Sequence, residues 1–366
     1  MPRWLATLLL LAALGARAET VTDLAGRSVK LPAQVQRIVL GEGRVIAALA
    51  ILERDPTRRV VGMMGEFERY DPAGYAQYKA ALPAIERIAR VGRGTGESFS
   101  IEAALALAPD LAIFGLEGHG PTPKDQELIA RLEKAGVTVL FVDFRKEPLR
   151  NTPRSIALLG AALGRPAEAA AFGAFYQAEL KRVADRLPPA GGSAPTVFIE
   201  NRVGLAAECC ATMANGMMGR YVDFAGGRNI ASALIPGSFG TLSLEYLLRY
   251  PPDVYIGTAI GNAGGNEPPG RIVLGAGATP DAARASLQRA LRRTGIADLQ
   301  AVREGRAYAI WHHFYNSPFN VAAVQAIAKW LHPQRFADID PETTLRTAYA
   351  RFQPVPLHGT YWIGLK

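Results

Sequence analysis

The chain has 366 residues, a formal charge of +8 and hydrophobic residues at 49% of positions, enough material for two lobes with real cores. Its basic residues are spread along the chain and not gathered into Lys/Arg runs with interleaved aromatics, which excludes the usual nucleic-acid-binding pattern. Such a balance suits a basic cleft for an anionic small molecule, or a merely soluble basic surface.

Residues 1–18 read as a secretion signal. Met1-Pro2-Arg3 gives a positive start, Leu5 to Leu14 an apolar stretch, and Ala16-Arg17-Ala18 a small-x-small cleavage site. The apolar run is short for a bilayer span, and no later segment offers about 20 consecutive apolar residues. No Cys follows the cleavage site, so a lipid anchor is not indicated there. The expectation is an exported, periplasmic protein, whose processing removes Arg3 and Arg17 and takes the charge from +8 to +6.

A hairpin is predicted around Asp23-Leu24-Ala25-Gly26-Arg27, then a buried strand at Arg37–Leu40, Gly41-Glu42-Gly43, and an apolar helix from Val45 to Leu52. Further strands are read at Val60–Gly62, Leu111–Gly115 and Val137–Val142, with a helix around Asp125–Lys134. Strands that are nearly all apolar and alternate with helices argue for a parallel sheet covered on both faces. From Pro153 to Leu187 the chain is Ala-rich with helical spacing, broken by Gly164-Arg165-Pro166, and Pro188-Pro189 stops it. The second of these helices, 166–188, is expected to be a rigid connector between an N-terminal lobe at 19–165 and a C-terminal lobe at 189–366. In the latter, strands are predicted at Thr196–Glu200, Val254–Gly257 and Arg306–Trp311, an amphipathic helix at Val321–Leu331, and a mobile surface loop from Gly261 to Gly277.

One pattern occurs twice. Ser100-Ile101-Glu102, running on to Pro109-Asp110-Leu111, returns 143 positions later as Ser243-Leu244-Glu245, running on to Pro252-Asp253-Val254. Each copy reads as a Ser-capped helix of about two turns that stops at Pro before a buried strand. That period is too long for a solenoid and suits two similar α/β lobes. Each Glu falls in a first helical turn, where the macrodipole favours its charge and nothing demands burial.

Cys209 and Cys210 are the only cysteines. Side by side, they allow a vicinal disulfide, a reduced pair or a soft-metal site.

Together, the hairpin Val21–Arg27, the strand Arg37-Ile38-Val39, Val60-Val61-Gly62, Val91-Gly92 before the first repeat and Phe224-Ala225-Gly226-Gly227-Arg228-Asn229-Ile230 resemble the periplasmic substrate-binding proteins of ATP-driven iron-siderophore, haem and cobalamin importers. The resemblance covers nearly the whole mature chain. It implies an α/β fold of two Rossmann-like lobes with parallel-rich sheets, joined by a single long α-helix, with the ligand in the cleft between them. It implies no catalytic residues, no permanent cofactor and a monomer that hands its cargo to an inner-membrane ABC permease dimer with its ATPase. Carried over by position, the permease-docking residues are Glu102 and Glu245; Arg–carboxylate contacts of that kind steer docking without making a tight complex.

Ligands of open α/β sheets lie beyond the carboxyl ends of the strands. That rule selects Gly41–Arg44, Met63–Tyr70, Gly92–Gly96, Leu116–His119 and Asp143–Arg145 in the first lobe, and Glu200–Arg202, Thr258–Asn262 and His312–Asn316 in the second. From these loops the candidate ligand-binding residues are Arg93, Arg145 and Arg202, able to clamp carboxylates or catecholates, with His312, His313 and Tyr315. The last three could line the cleft or reach a metal carried by the cargo, so metal ligation stays open. Met63, Met64, Met213, Met217 and Met218 could be soft cleft lining or core filler, and Glu208-Cys209-Cys210 could reach the cleft rim.

Other classes fit less well. The chain has no G-x-S-x-G elbow and no H-E-x-x-H helix for an exported siderophore-processing hydrolase. It has five His in all for a bare-metal site, and Gly41-Glu42-Gly43 lacks the third Gly of the dinucleotide fingerprint. The expected cargo is an iron chelate, an anionic ferric siderophore before haem or cobalamin.

Overall fold

The computed structural model describes residues 19–189, 193–206, 209–264, 267–268 and 270–365. The signal-like segment 1–18 and Glu208 lie outside the described residues. Short all-apolar runs with no room for a helix become the buried strands. β1 (Thr20–Thr22) and β2 (Ser28–Lys30) form the N-terminal hairpin, its turn held by the Asp23 carboxylate, which accepts from the Ala25 and Arg27 amides. β3 (Ile38–Leu40), β4 (Val60–Met64), β5 (Ala89–Gly92), β6 (Leu111–Gly115) and β7 (Thr138–Val142) make an all-parallel sheet of order β5-β4-β3-β6-β7. Its central strands are buried on both faces, as the continuous apolar runs require.

The second sheet is built differently. β8 (Thr196–Glu200), β9 (Ala211–Met213), β10 (Arg228–Asn229), β11 (Phe239–Thr241) and β12 (Val254–Ala259) are followed by the short β13 (Gly275–Ala276). Then come β14 (Ala307–Trp311), β15 (Gly359–Thr360) and β16 (Trp362–Gly364). The order is β11-β9-β8-β12-β14-β16, with β10 beside β8 and β13 paired with β15 in a separate ribbon. Its β8, β12 and β14 run parallel, whereas β9, β11 and β16 add antiparallel edges.

Two antiparallel-packed helices, Pro148–Leu163 and Pro166–Ala184, link the sheets. The break between them is the left-handed Gly164, followed by Pro166 at the first helical position. The first helix starts five residues before Pro153, which is tolerated inside it. Tyr176 and Phe172 of the second are fully buried, and Tyr176 donates to Asn320 Oδ1 on the helix Asn320–Leu331. The segment 261–277 departs from the surface loop expected of it. Gly261 bridges to Val273, and Ile272 and Leu274 are buried in the second lobe's core. Among the described residues no helix is long and apolar enough to cross a membrane.

The twin pattern is realised twice. Ser100 accepts from the Ala103 amide ahead of the helix Ile101–Ala106, and Ser243 from the Tyr246 amide ahead of the helix Leu244–Arg249. Asp110 then accepts from the Gln36 and Arg37 amides, tying the approach to β6 to that of β3. Asp253 accepts from the Thr196 amide and hydroxyl, tying the approach to β12 to β8. The same code sets two strands side by side in each lobe.

Candidate functional site

Loops leaving the carboxyl ends of strands in both sheets line one cavity of about 570 Å³. After β3 comes Arg44; after β4, Arg69 and Tyr70; after β6, Glu117, Gly118 and His119; after β7, Arg145. The second lobe adds Asn201 and Arg202 after β8, Ile260 and Asn262 after β12, and His312, His313 and Tyr315 after β14. The expected Arg145, Arg202, His312, His313 and Tyr315 therefore meet in one place.

Arg93 does not join them. The Ser98 hydroxyl accepts from the Arg93, Gly94 and Thr95 amides and curls that loop on itself, leaving Arg93 exposed and outside the cavity lining. The loop meets the site instead through the Gly94 carbonyl, which accepts from His119 Nδ1 at 2.9 Å.

Two buried ion pairs lie behind the cavity, each with its arginine in the lining. Arg145 donates to Glu42 at 3.0 Å, with both side chains under a tenth exposed. Glu42 also accepts from the His119 amide and from Asn316 of the other lobe. Burial pushes the Glu42 carboxyl up, but Arg145, His119 and Arg44 outweigh it and leave its pKa below the ordinary value. Gly118 passes directly over this pair, and a Cβ there would lie 1.6 Å from Glu42 Oε1. Arg44 lies 4.0 Å from Glu66, whose pKa is raised chiefly by burial.

The hydrogen bonds fix the tautomers of His313 and His119. His313 Nδ1 accepts from Arg44 and its Nε2 donates to the Tyr70 carbonyl at 3.0 Å, so both ring nitrogens are engaged. Tyr315 accepts from Arg44 at 3.1 Å and Arg145 at 3.4 Å. Its own proton goes to His119 Nε2, because Nδ1 of that ring is already the donor to Gly94. The fully buried Thr258 hydroxyl accepts the Arg202 amide at 2.7 Å and also bonds His312 Nδ1 at 3.1 Å. With Nδ1 engaged there, Nε2 is the ring nitrogen His312 offers the cavity. Burial, reinforced by Arg44, holds His312 and His313 well below the usual imidazole range, and burial takes His119 to about 4. All three rings are neutral at neutral pH.

Among the described residues five guanidinium groups thus meet the cavity, those of Arg44, Arg69, Arg145, Arg202 and Arg271, against one lining carboxylate, Glu117. Arg271 is paired with Glu267 at 3.1 Å; among the described residues Arg69 and Arg202 make no ion pair. Arg202 and Met217 hold left-handed φ values of 54° and 50°, a conformation costing on the order of 1–3 kcal/mol outside glycine. Both line the cavity. Among the described residues no three His, Cys, Asp or Glu side chains stand close enough to hold a metal ion.

Arg44, Arg69 and His119 were within reach of sequence reasoning, since each lies in a strand-end loop; Arg271 carried no such signal. Cys209 and Cys210 form a disulfide, and Cys209 lines a surface groove beside Glu245, away from the cavity. Met63, Met64, Met213 and Met218 are core, and Met217 reaches the cavity. Glu102 and Glu245 are both exposed in first helical turns, but Glu102 is bonded to Arg131 at 2.9 Å.

A family profile described as periplasmic binding protein matches residues 42–311. The molybdate-binding protein MolA of Haemophilus influenzae is 23% identical over 356 residues, 91% of this chain and 90% of its own. The cobalamin-binding protein of Halobacterium salinarum is 28% identical over 185 residues, 50% of this chain and 47% of its own, so the match spans about half that relative's length. Among solved structures, the TroA-like periplasmic binding protein FepB of Veillonella parvula aligns over 95% of this chain and 99% of its own, with a TM-score of 0.82 and 26% identity.

Proposed function

The chain belongs to the periplasmic binding protein family, and from that premise we propose that it captures an anionic ferric siderophore in the periplasm and delivers it to an inner-membrane ABC permease. The observation that carries the reading is the set of five guanidinium groups lining the cavity, of which Arg69 and Arg202 make no ion pair among the described residues, against a single lining carboxylate among those residues. A guanidinium presents a planar fork of donors matched to carboxylate and catecholate oxygens. His312 Nε2 adds a neutral hydrogen-bonding group, and His313 is spent on Arg44 and Tyr70. These groups address the oxygens of an anion and not a bare metal ion. The volume of about 570 Å³ lies within the range of pockets that hold a drug-sized ligand and is generous for a single small oxyanion.

The test is a tryptophan-fluorescence titration of the mature protein with ferric carboxylate, catecholate and hydroxamate siderophores, haem, cobalamin and molybdate. Micromolar or tighter binding of a ferric siderophore, lost in Arg202→Ala, is the expected result. Binding of molybdate, haem or cobalamin in its place would overturn the cargo assignment.

Glu102 and Glu245 are the proposed docking pair, on permease arginines. Glu102→Ala with Glu245→Ala is expected to abolish transport while cargo affinity stays within twofold of wild type. Lost affinity would sink that assignment.

A further inference from the structure

The two lobes give the cavity unlike walls. The side chains contributed by the first lobe are all polar: Arg44, Arg69, Tyr70, Glu117, His119 and Arg145. The cavity's aliphatic, thioether and phenyl groups come from the second lobe, as Leu205, Met217, Phe239 and Ile260. Two of these are left to solvent to a degree that core packing does not explain. Phe239 is 62% exposed and Leu205 49% exposed; both line the cavity, and the Leu205 amide donates to the Arg202 carbonyl.

Single exposed apolar residues are ordinary on a protein surface. Several converging on one cavity that also carries unpaired guanidinium groups are a composite feature. Phe239 belongs to β11, the antiparallel edge strand that extends the second sheet, with Thr212 and Met213 of β9 in register against it. The strand pairing therefore fixes the backbone position of Phe239. Arg44, Arg69, Arg145 and Arg202 line the same cavity and supply cationic groups for the anionic part of a ligand.

We propose that the cargo is amphiphilic: an anionic metal chelate bearing an apolar substituent, with its anionic groups on the first lobe and Arg202 and its hydrocarbon on the shelf of Leu205, Met217, Phe239 and Ile260. The proposal rests on the siderophore reading and adds the chemistry of the cargo's second face. An acyl chain and an aryl ring share that chemistry. Burying even two methylenes supplies roughly a tenfold gain in affinity.

The experiment uses three ferric trihydroxamates of equal charge, capped with succinate, octylsuccinate or phenylsuccinate, titrated into wild type and into Leu205→Ser/Phe239→Ser. Both replaced side chains are about half exposed or more, so the variant is expected to keep the wild-type melting profile, which is checked in parallel. Wild type is expected to prefer an octyl- or phenyl-bearing chelate by at least tenfold over the succinyl one, and whichever is preferred distinguishes acyl from aryl cargo. The double variant is expected to lose that preference, so that its affinities for the three chelates converge, whereas Arg202→Ala weakens all three alike and leaves the preference in place. Equal binding of all three by wild type, or a preference that survives in the double variant, overturns the proposal and leaves the siderophore reading standing. Binding of none of them, with haem or molybdate bound instead, overturns both.

Discussion

The two lobes start from the same local instructions and diverge where those instructions stop. In each, a Ser caps a six-residue helix, a Glu takes the first turn, and an Asp ties neighbouring strands together. The first lobe then completes an all-parallel sheet, and its strand-end loops present a polar, cationic wall. The second adds antiparallel β9 and β11, and these edges bring the exposed Phe239 to the cavity. The helices differ in the same way. Glu102 is already engaged by Arg131, whereas Glu245 makes no ion pair among the described residues and shares its helix with the exposed Leu248. The shared code builds the frame, and the added edges set what each lobe meets.

Each lobe also holds a buried carboxylate paired with a guanidinium at the end of a strand, Glu42 with Arg145 and Glu200 with Arg293, which gives the sharpest way to break the comparison. Glu42–Arg145 is buried on both sides, while Arg293 of the Glu200–Arg293 pair keeps 19% of its side chain exposed. Removing one partner of a fully buried pair strands the other charge, at about 3–5 kcal/mol. Glu42→Ala is expected to cost that much in urea unfolding. Glu200→Ala, which leaves Arg293 a route to water, is expected to cost less, about 1.5–3 kcal/mol. Equal losses would mean that the two pairs do the same work despite their different burial.

A second way to sharpen it is through pH, using a buried carboxyl of the first lobe. Asp71, buried and capping the helix Pro72–Ala81 through the Gly74 amide, is pushed up to about 6 by burial, against the opposing pull of that amide and Arg44. A carboxyl raised in the folded state binds its proton there while the unfolded chain has released it. Asp71 therefore makes folding less favourable as pH rises from about 4 through about 6, and it gives back that stability as pH falls. Asp71→Asn mimics the protonated form. It is expected to melt higher than wild type at pH 7.5 and to match it near pH 4. A variant less stable than wild type at pH 7.5 would show that the charged form is the one the fold prefers.

The frame was legible because it rests on short-range chemistry. Apolar runs such as Leu111–Gly115 and Thr196–Glu200 are strands to the residue, and the Gly164-Arg165-Pro166 break lies between two helices. The strand-end rule also put Arg145, Arg202, His312, His313 and Tyr315 around one cavity. What was not legible depends on contacts between distant segments. Arg93 is turned out by Ser98, five residues on, and Arg271 enters from a stretch that reads as surface loop but is tied down by Ile272 and Leu274. The edge strands β9 and β11 are three residues each, and antiparallel pairing with a partner more than 25 positions away leaves no periodicity in so short a run. The apolar shelf was hidden with them.

The smallest predicted effect tests the shared code itself. Ser100 Oγ and Ser243 Oγ each accept one amide at 3.1 Å, from Ala103 and Tyr246. Replacing an N-cap serine by alanine typically costs about 1 kcal/mol. Both helices are six residues long, so neither has many internal bonds to offset the loss. If the lobes use the cap identically, Ser100→Ala and Ser243→Ala lower stability by similar amounts in urea titrations, and the double variant loses the sum, because the two caps share no partner. A much smaller loss for Ser243→Ala would mean that the second helix is held chiefly by its packing, through the fully buried Leu247, and that the repeated serine has different work in the two lobes.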